Sequence, residues 1–269
     1  MSTAYDLTGA GAADGGRAGV ARVAGDWAAA DPYSAAVRSG RGPLFLRRAD
    51  GWLLPLEVER WCARADPADL AILDRCEGAV LDVGCGPGRL VAELAARGRP
   101  VLGIDVSEAA VAHTLGRGGQ ALRRSVFDPL PGEGRWATVL LIDGNVGIGG
   151  DPVALLRRAA ALLVPGGLLI AETVPVDVDE RAEVEVVGPA EAGGTGRAFP
   201  WARLGTTALL RYAGHEGWRT AGQWTAGGRC FVALRSRSAS SSAEPPKSTA
   251  VISSQWARNP SAERPVADR

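Results

Sequence analysis

Three glycines at alternate positions, Gly84, Gly86 and Gly88, stand directly behind an aspartate and an apolar run in the stretch "VLDVGCGPG" (80–88). Glycine loses more backbone entropy on folding than any other residue, so three in this short stretch mark a loop that must make room for something. The run before it, "AVLDV" (79–83), reads as a short buried strand. The run after it, "GRLVAELAARG", reads as a helix with Leu90, Val91 and Leu94 on one face. Strand, glycine loop and helix in that order restrict the chain to folds in which a parallel sheet feeds helices across its faces.

The alternation continues. "PVLGID" (100–105) predicts a second strand, and "SEAAVAHTLGRG" a helix capped by Ser107 with Glu108 in its first turn. "ALRRSVFD" (121–128) predicts a third strand and "WATVLLID" (136–143) a fourth. "DPVALLRRAAALLVPGG" predicts a helix starting at Asp151 with proline in its first position, and "LLIAETV" a fifth strand. Next, "WARLGTTALLRYAGHEG" reads as another helix ending near Gly217. "WRTAGQWTAGGRCFVALR" reads as two strands joined around Ala226, Gly227 and Gly228. The expected fold is α/β: a Rossmann-like, doubly wound, mostly parallel sheet with a C-terminal antiparallel hairpin strand and an N-terminal helical cap.

Four segments follow from this reading. Residues 1–25, small and Gly-rich, and the tail 237–269, rich in Ser, Ala, Pro and charge, are expected to be disordered. Trp256 and the nearby "VISS" offer a docking segment as the other reading of the tail. Residues 26–76 hold helical stretches broken by Pro32, Gly40, Gly42 and Pro55 and are expected to form a helical cap on the acceptor side. Residues 77–236 form the Rossmann-like domain.

Thirty basic and thirty acidic residues cancel, which removes the main electrostatic argument for a nucleic-acid or membrane-surface partner and favours a small-molecule ligand. The four cysteines, Cys62, Cys76, Cys85 and Cys230, form no CxxC pair and no metal-ligand spacing with histidine. No metal site is expected, and reduced thiols point to the cytoplasm. No uncharged apolar run reaches membrane-spanning length, and the first residues lack the pattern of a secretion signal. Composition leaves the oligomeric state open.

In an open parallel sheet the ligand crevice lies beyond the carboxyl ends of the strands, where strand order reverses beside the first strand. The glycine loop falls there. A dinucleotide fingerprint, GxGxxG, would want a small residue at Arg89; this chain reads GxGxG instead, with Asp82 two residues ahead of the first glycine. Asp105 ends the second strand, where a carboxylate accepts both ribose hydroxyls, and a nucleoside-containing ligand follows from that placement. Its second reading is a cap on the next helix. Asp128 before Pro129, and Asp143 before Gly144, also read as turn formers.

"VLDVGCGPG", "VLGIDVS", "SVFDPLP", "LLIDGN" and "LLVPGGLLIAE" stand in the order seen in class I S-adenosylmethionine-dependent methyltransferases, which the chain resembles over about residues 77–236. The resemblance implies a cofactor, S-adenosyl-L-methionine, and a small organic acceptor methylated on oxygen, nitrogen or carbon. It places Asp82, Gly84, Cys85, Gly86 and Gly88 around the methionine part, Asp105 on the ribose and Val106 against adenine. Phe127 and Asp128 look like the adenine-facing pair, with Asp128 accepting from the amino group. Asp143, Gly144 and Asn145 look like the loop facing the sulfonium and the acceptor.

Methyl transfer from a sulfonium is an in-line displacement in which alignment supplies much of the catalysis, so a general base is optional. Asp143 and His215 are the candidates for one, and His113 falls in the helix after the second strand. On the acceptor side, Tyr33, Arg38, Arg41, Arg47, Arg48 and Trp52 come in a short space, a mixture that clamps an anionic or aromatic molecule or else forms a solvated edge. Phe199 and Trp201 are candidates for closing the other side of the pocket. Two other classes share these features: a nicotinamide-dependent oxidoreductase, lacking here the third glycine and a Tyr-x-x-x-Lys pair, and a non-catalytic nucleoside-binding scaffold.

Overall fold

The computed structural model describes residues 31–188 and 197–237. The expectations for residues 1–25, for the tail beyond 237 and for Trp256 lie outside the described residues. In chain order the elements are α1 (Pro32–Ser39), β1 (Leu44–Arg48), β2 (Leu53–Leu56), α2 (Val58–Cys62), α3 (Pro67–Leu73), β3 (Val80–Val83), α4 (Arg89–Ala96), β4 (Val101–Asp105), α5 (Glu108–Gly116), β5 (Ala121–Arg123) and β6 (Trp136–Leu141). After a 3-10 turn at Asn145–Gly147 come α6 (Pro152–Leu162), β7 (Leu163–Thr173), β8 (Asp179–Val187), β9 (Phe199–Leu204), α7 (Thr206–His215), β10 (Arg219–Ala226) and β11 (Arg229–Arg235).

A seven-stranded sheet has the order β10-β11-β7-β6-β3-β4-β5. Strands β3 to β7 pair in parallel, while β11 pairs antiparallel with both β7 and β10. The chain winds outward from β3 to β5 and then crosses to β6 on the other side of β3, so the switch point lies between β3 and β6. The period of two along each strand sends side chains to alternate faces. Leu81 and Val83 pack with Leu155, Leu156 and Leu162 of α6 and Leu209 of α7. Val80 packs on the opposite face with Ile72 and Leu73 of α3 and Leu90 and Leu94 of α4. Each of these buried aliphatic side chains contributes roughly 2 kcal/mol of transfer free energy.

The local signals for helix starts hold. The Asp151 carboxylate accepts from the backbone N–H groups of Val153 and Ala154, with Pro152 in the first turn. Ser107 accepts from Ala110 at the start of α5. Pro32, expected to break a helix, instead opens α1, because Asp31 caps it through Ser34 N–H at 2.8 Å.

The helical cap needs correction. Residues 44–56 form an antiparallel hairpin, and β1 pairs on its other edge with β8 to give a second, four-stranded sheet of order β2-β1-β8-β9. The signals were present: Asp50-Gly51 is a turn pair between apolar runs, and "AEVEVV" (182–187) alternates Ala182, Val184 and Val186 with glutamates. The inner face carries Leu44, Leu46, Val184 and Val186, packed with Ala36 and Val58. Residues 201–204, expected to open a helix, are the end of β9, and α7 begins only after Gly205. The expected third strand is also shorter, since the chain leaves the sheet after Arg123.

The second sheet is pinned to the first at Gly147. A Cβ there would stand 2.0 Å from the Ala202 carbonyl oxygen and 2.8 Å from Trp201 Nε1. Backbone cannot yield as a flexible side chain does, so Gly147→Ala must separate β9 from the 3-10 turn. The expected cost is about 2 kcal/mol of unfolding free energy, read by urea denaturation. An unchanged midpoint would show that the close approach is dispensable.

Candidate active site

A cavity of ≈ 270 Å³ opens at the switch point, between the carboxyl ends of the parallel strands and the inner face of the second sheet. Gly84, Cys85, Gly86, Asp105 and Val106 form one wall, continued by Ser125 and Phe127. Leu46, Leu54, Val186, Phe199 and Trp201 form the facing one, with Tyr33 and Trp61 from α1 and α2. Phe199 and Trp201 meet edge to face at 6.1 Å, an arrangement favoured by the ring quadrupoles.

The glycine loop is shaped as much by the protein as by any ligand. All three glycines have positive φ. A Cβ on Gly84 would lie 2.6 Å from Asn145 Nδ2, which donates to the carbonyls of Val83 and Gly84 at 2.9 Å each. A Cβ on Gly88 would lie 2.4 Å from Thr114 Oγ1, whose hydroxyl reaches the Gly86 carbonyl at 3.0 Å. Gly84 and Gly88 therefore admit two side chains that brace the loop, whereas Gly86 meets nothing nearer than the Tyr33 hydroxyl at 3.5 Å. Gly84 and Gly86 line the cavity; Gly88 instead caps α4.

Asp105 is 8% exposed and lines the cavity. Its two oxygens accept from Gly86 N–H at 2.9 Å and Ser107 N–H at 2.8 Å. Burial outweighs these bonds and pushes its pKa up to about 6. An ionised carboxylate offers about four acceptor positions, more than these backbone groups occupy, so it retains capacity for a hydroxyl donor. Asp82 is buried behind the loop and does not line the cavity; burial pushes its pKa up to about 7, and Oδ2 has no hydrogen-bond partner among the described residues. Asp128 turns its carboxylate to Ser125 N–H at 2.9 Å and also stays out of the cavity wall, so the turn-forming role is the one seen. A buried carboxylate with spare acceptor positions beside an apolar wall of Val106 and Phe127 suits an adenosine, and the residues present fit S-adenosyl-L-methionine.

Asp143 lines the cavity but its carboxylate is committed. It accepts from Arg89 at 2.6 and 3.1 Å, from Arg60 at 2.7 Å and from Arg229 at 3.2 Å. Its backbone N–H donates to Glu172 at 2.8 Å, and these bonds hold it at φ 59°, a left-handed conformation rare outside glycine. Burial alone would raise its pKa; Arg89, Arg60 and Arg229 reverse that and keep it below the ordinary carboxylate value. Such a group is a poor proton acceptor, which removes the chemical basis for Asp143 as a general base. Glu172 is likewise bound by Arg229 at 2.9 and 2.7 Å. His113 Nδ1 lies 2.9 Å from the Pro87 carbonyl, His215 is the last residue of α7, and neither lines the cavity.

Of the acceptor-side expectations, Tyr33, Asn145 and Trp201 reach the cavity together with Gly144, while Arg38 and Trp52 do not. Trp52 lies between Arg48 and Arg203, whose guanidinium carbons are 5.7 and 4.7 Å from its ring centre. Sequence reasoning missed the ion cluster of Arg60, Asp69, Arg89, Asp143, Glu172 and Arg229. Its one signal was Arg89, a bulky cation where a dinucleotide loop would turn through glycine.

A doubly wound sheet with a braced glycine loop and a buried carboxylate at its switch point defines the Rossmann-like, nucleoside-binding class of fold. The model of one family, described as a methyltransferase domain, matches residues 57–217, more than half of the 269-residue chain. The chain belongs to this family, the class I S-adenosylmethionine-dependent methyltransferases, whose cofactor is S-adenosyl-L-methionine. A ubiquinone biosynthesis O-methyltransferase of Pseudomonas paraeruginosa is 35% identical over 104 residues, covering 35% of this chain and 44% of that protein. The namesake of Xanthomonas axonopodis pv. citri is 33% identical over 129 residues, covering 45% and 50%. The chain thus spans half or less of the length of these curated relatives. Among solved structures, a SAM-dependent methyltransferase from Bacteroides fragilis in complex with S-adenosyl-L-homocysteine shares the fold at TM-score 0.65 and 21% identity, covering 77% of this chain and 95% of that one.

Proposed function

We propose that this chain transfers a methyl group from S-adenosyl-L-methionine to a small organic acceptor seated under the second sheet, releasing S-adenosylhomocysteine. The observation that carries this reading is the cavity itself, in which a wall suited to adenosine and an aromatic, apolar wall face each other. When bound, the cofactor supplies a methyl group on a positively charged sulfur with a neutral leaving group. Asp105 would accept from the ribose hydroxyls, Val106 and Phe127 would flank the base, and the backbone of Gly84 and Gly86 would receive the amino-acid end. The second sheet keeps water out and holds the acceptor, so alignment is the main catalytic contribution of the protein.

Each carboxylate lining the cavity is engaged by arginine or backbone N–H: Asp105, Asp143 and Glu172. An acceptor that is nucleophilic as it stands suits that lining. The name of the curated relatives supports an oxygen acceptor, and the in-line geometry serves nitrogen and carbon equally. A net charge of zero favours a small molecule over nucleic acid. The free cysteines support a cytoplasmic location, and among the described residues no helix is long and apolar enough to cross a membrane. Arg89, locked into the ion cluster, stands against a dinucleotide loop.

Calorimetric titration with S-adenosylhomocysteine, with NADH as control, tests the reading, followed by a mass-shift screen of small acceptors. Saturable binding of S-adenosylhomocysteine alone is expected. No heat at millimolar ligand would overturn the proposal.

A further inference from the structure

Among the described residues three arginines line the cavity: Arg89, Arg124 and Arg203. The Nε, Nη1 and Nη2 atoms of Arg89 all donate to Asp69 and Asp143. Arg124 stands just before Ser125 and Phe127 on the adenosine side, and its Nη1 donates to the Arg123 carbonyl at 2.9 Å. Arg203 is different. It projects from β9 on the same face as Phe199 and Trp201, four and two residues back along the strand, so it ends the aromatic wall of the cavity. Its Nη1 donates to Glu180, the residue opposite it in register, at 2.7 Å. Its Nε is buried and has no hydrogen-bond partner among the described residues.

A buried N–H without an acceptor is costly, and native structures rarely keep one unless a water, ion or ligand completes it. Arg203 is also held in place, its guanidinium carbon lying 4.7 Å from the centre of the Trp52 ring, which leaves the fork pre-organised for a planar anion. Glu180 is 38% exposed and therefore lies toward solvent, at the edge of this site. An acceptor carrying its own negative charge also matches a lining whose carboxylates are all engaged. Resting on the methyl-transfer reading above, we infer that the acceptor is an apolar, ring-bearing acid whose carboxylate seats on Arg203 while its body lies against Phe199 and Trp201.

The test is calorimetry of the full chain saturated with S-adenosylhomocysteine, using 2-naphthoate and its neutral isostere 2-naphthamide as probes. The wild type is expected to bind the acid about tenfold more tightly than the amide, as a charge-assisted bond to a half-buried guanidinium warrants. Arg203→Gln should bring the two probes to equal affinity, and Arg203→Lys should restore part of the preference. Glu180→Gln, which removes the competing carboxylate, should tighten the acid and leave the amide unchanged. Unchanged affinity for S-adenosylhomocysteine in all variants shows that the cofactor wall is folded. Equal binding of acid and amide by the wild type, binding of neither, or a preference that survives Arg203→Gln would overturn the inference. Failure of the wild type to bind S-adenosylhomocysteine would show before any probe is added and would count against methyl transfer itself.

Discussion

Replacing Arg89 with methionine is expected to lower the unfolding free energy by about 3–5 kcal/mol, the cost of removing one partner from a buried ion pair. For a domain of this size the midpoint of thermal unfolding should fall by about 10 °C. The Arg89 side chain is 4% exposed and pairs with Asp69, at 0%, and Asp143, at 14%. Methionine keeps most of the length and none of the donors, so these carboxylates would stay buried with Arg229 and Arg60 as remaining partners. The pH profile gives a second readout. Burial raises the Asp69 pKa, but Arg89 and Arg229 overcome it and hold the group at about 2. A depressed carboxyl pKa contributes stability above its unfolded value of about 3.9, and that stability is lost as pH falls through the folded value. The wild type should therefore lose stability between about pH 4 and 2, and the variant less steeply. A loss below about 1 kcal/mol would mean that Arg60 and Arg229 compensate fully and that the cluster is redundant.

Asp105→Ala is expected to weaken S-adenosylhomocysteine binding by about a hundredfold or more. Hydrogen bonds from two hydroxyls to an ionised acceptor contribute about 1.5–3 kcal/mol each, and the alanine also frees the N–H groups of Gly86 and Ser107 that now order the loop. Because burial raises the Asp105 pKa to about 6, the free protein takes up a proton there as pH falls through that value. Binding to the ionised form must expel it, so affinity should fall roughly tenfold per pH unit below about 6 and level off above. The sign for stability is opposite. A raised carboxyl pKa favours the folded state at low pH, and that contribution is lost as pH rises through about 6, until the ligand's hydroxyls compensate the buried charge. In Asp105→Asn the step in affinity near pH 6 should vanish. A step that persists and lies nearer pH 7 would belong to Asp82, and a variant with unchanged affinity would remove Asp105 from the ribose.

Local chemistry made much of this protein legible. The parallel alternation, the Asp151 and Ser107 caps, the C-terminal hairpin, the glycine loop and Asp105 each depend on a few consecutive residues, whose spacing sets face, turn or cap. The same locality misled at Pro32, where the Asp31 cap made a helix start of an expected break, and at Trp201, where an apolar stretch compatible with a helix joined a sheet edge. What the chain order could not reveal was which distant segments would meet. The hairpin at 44–56 joins the second sheet over the cavity only because Phe45 pairs with Val187, and Asp143 loses its chemical freedom only because Arg60, Arg89 and Arg229 converge on it. A charge placed by sequence alone has no partner assigned; in a buried site the partner decides its pKa, its mobility and its chemistry. Periodicity and turn residues are properties of neighbours along the chain, so the sequence by itself determined the parallel sheet and put the glycine loop and Asp105 at its switch point. The aromatic wall of the cavity and the ion cluster are built by residues far apart in sequence, and tertiary structure alone decided them.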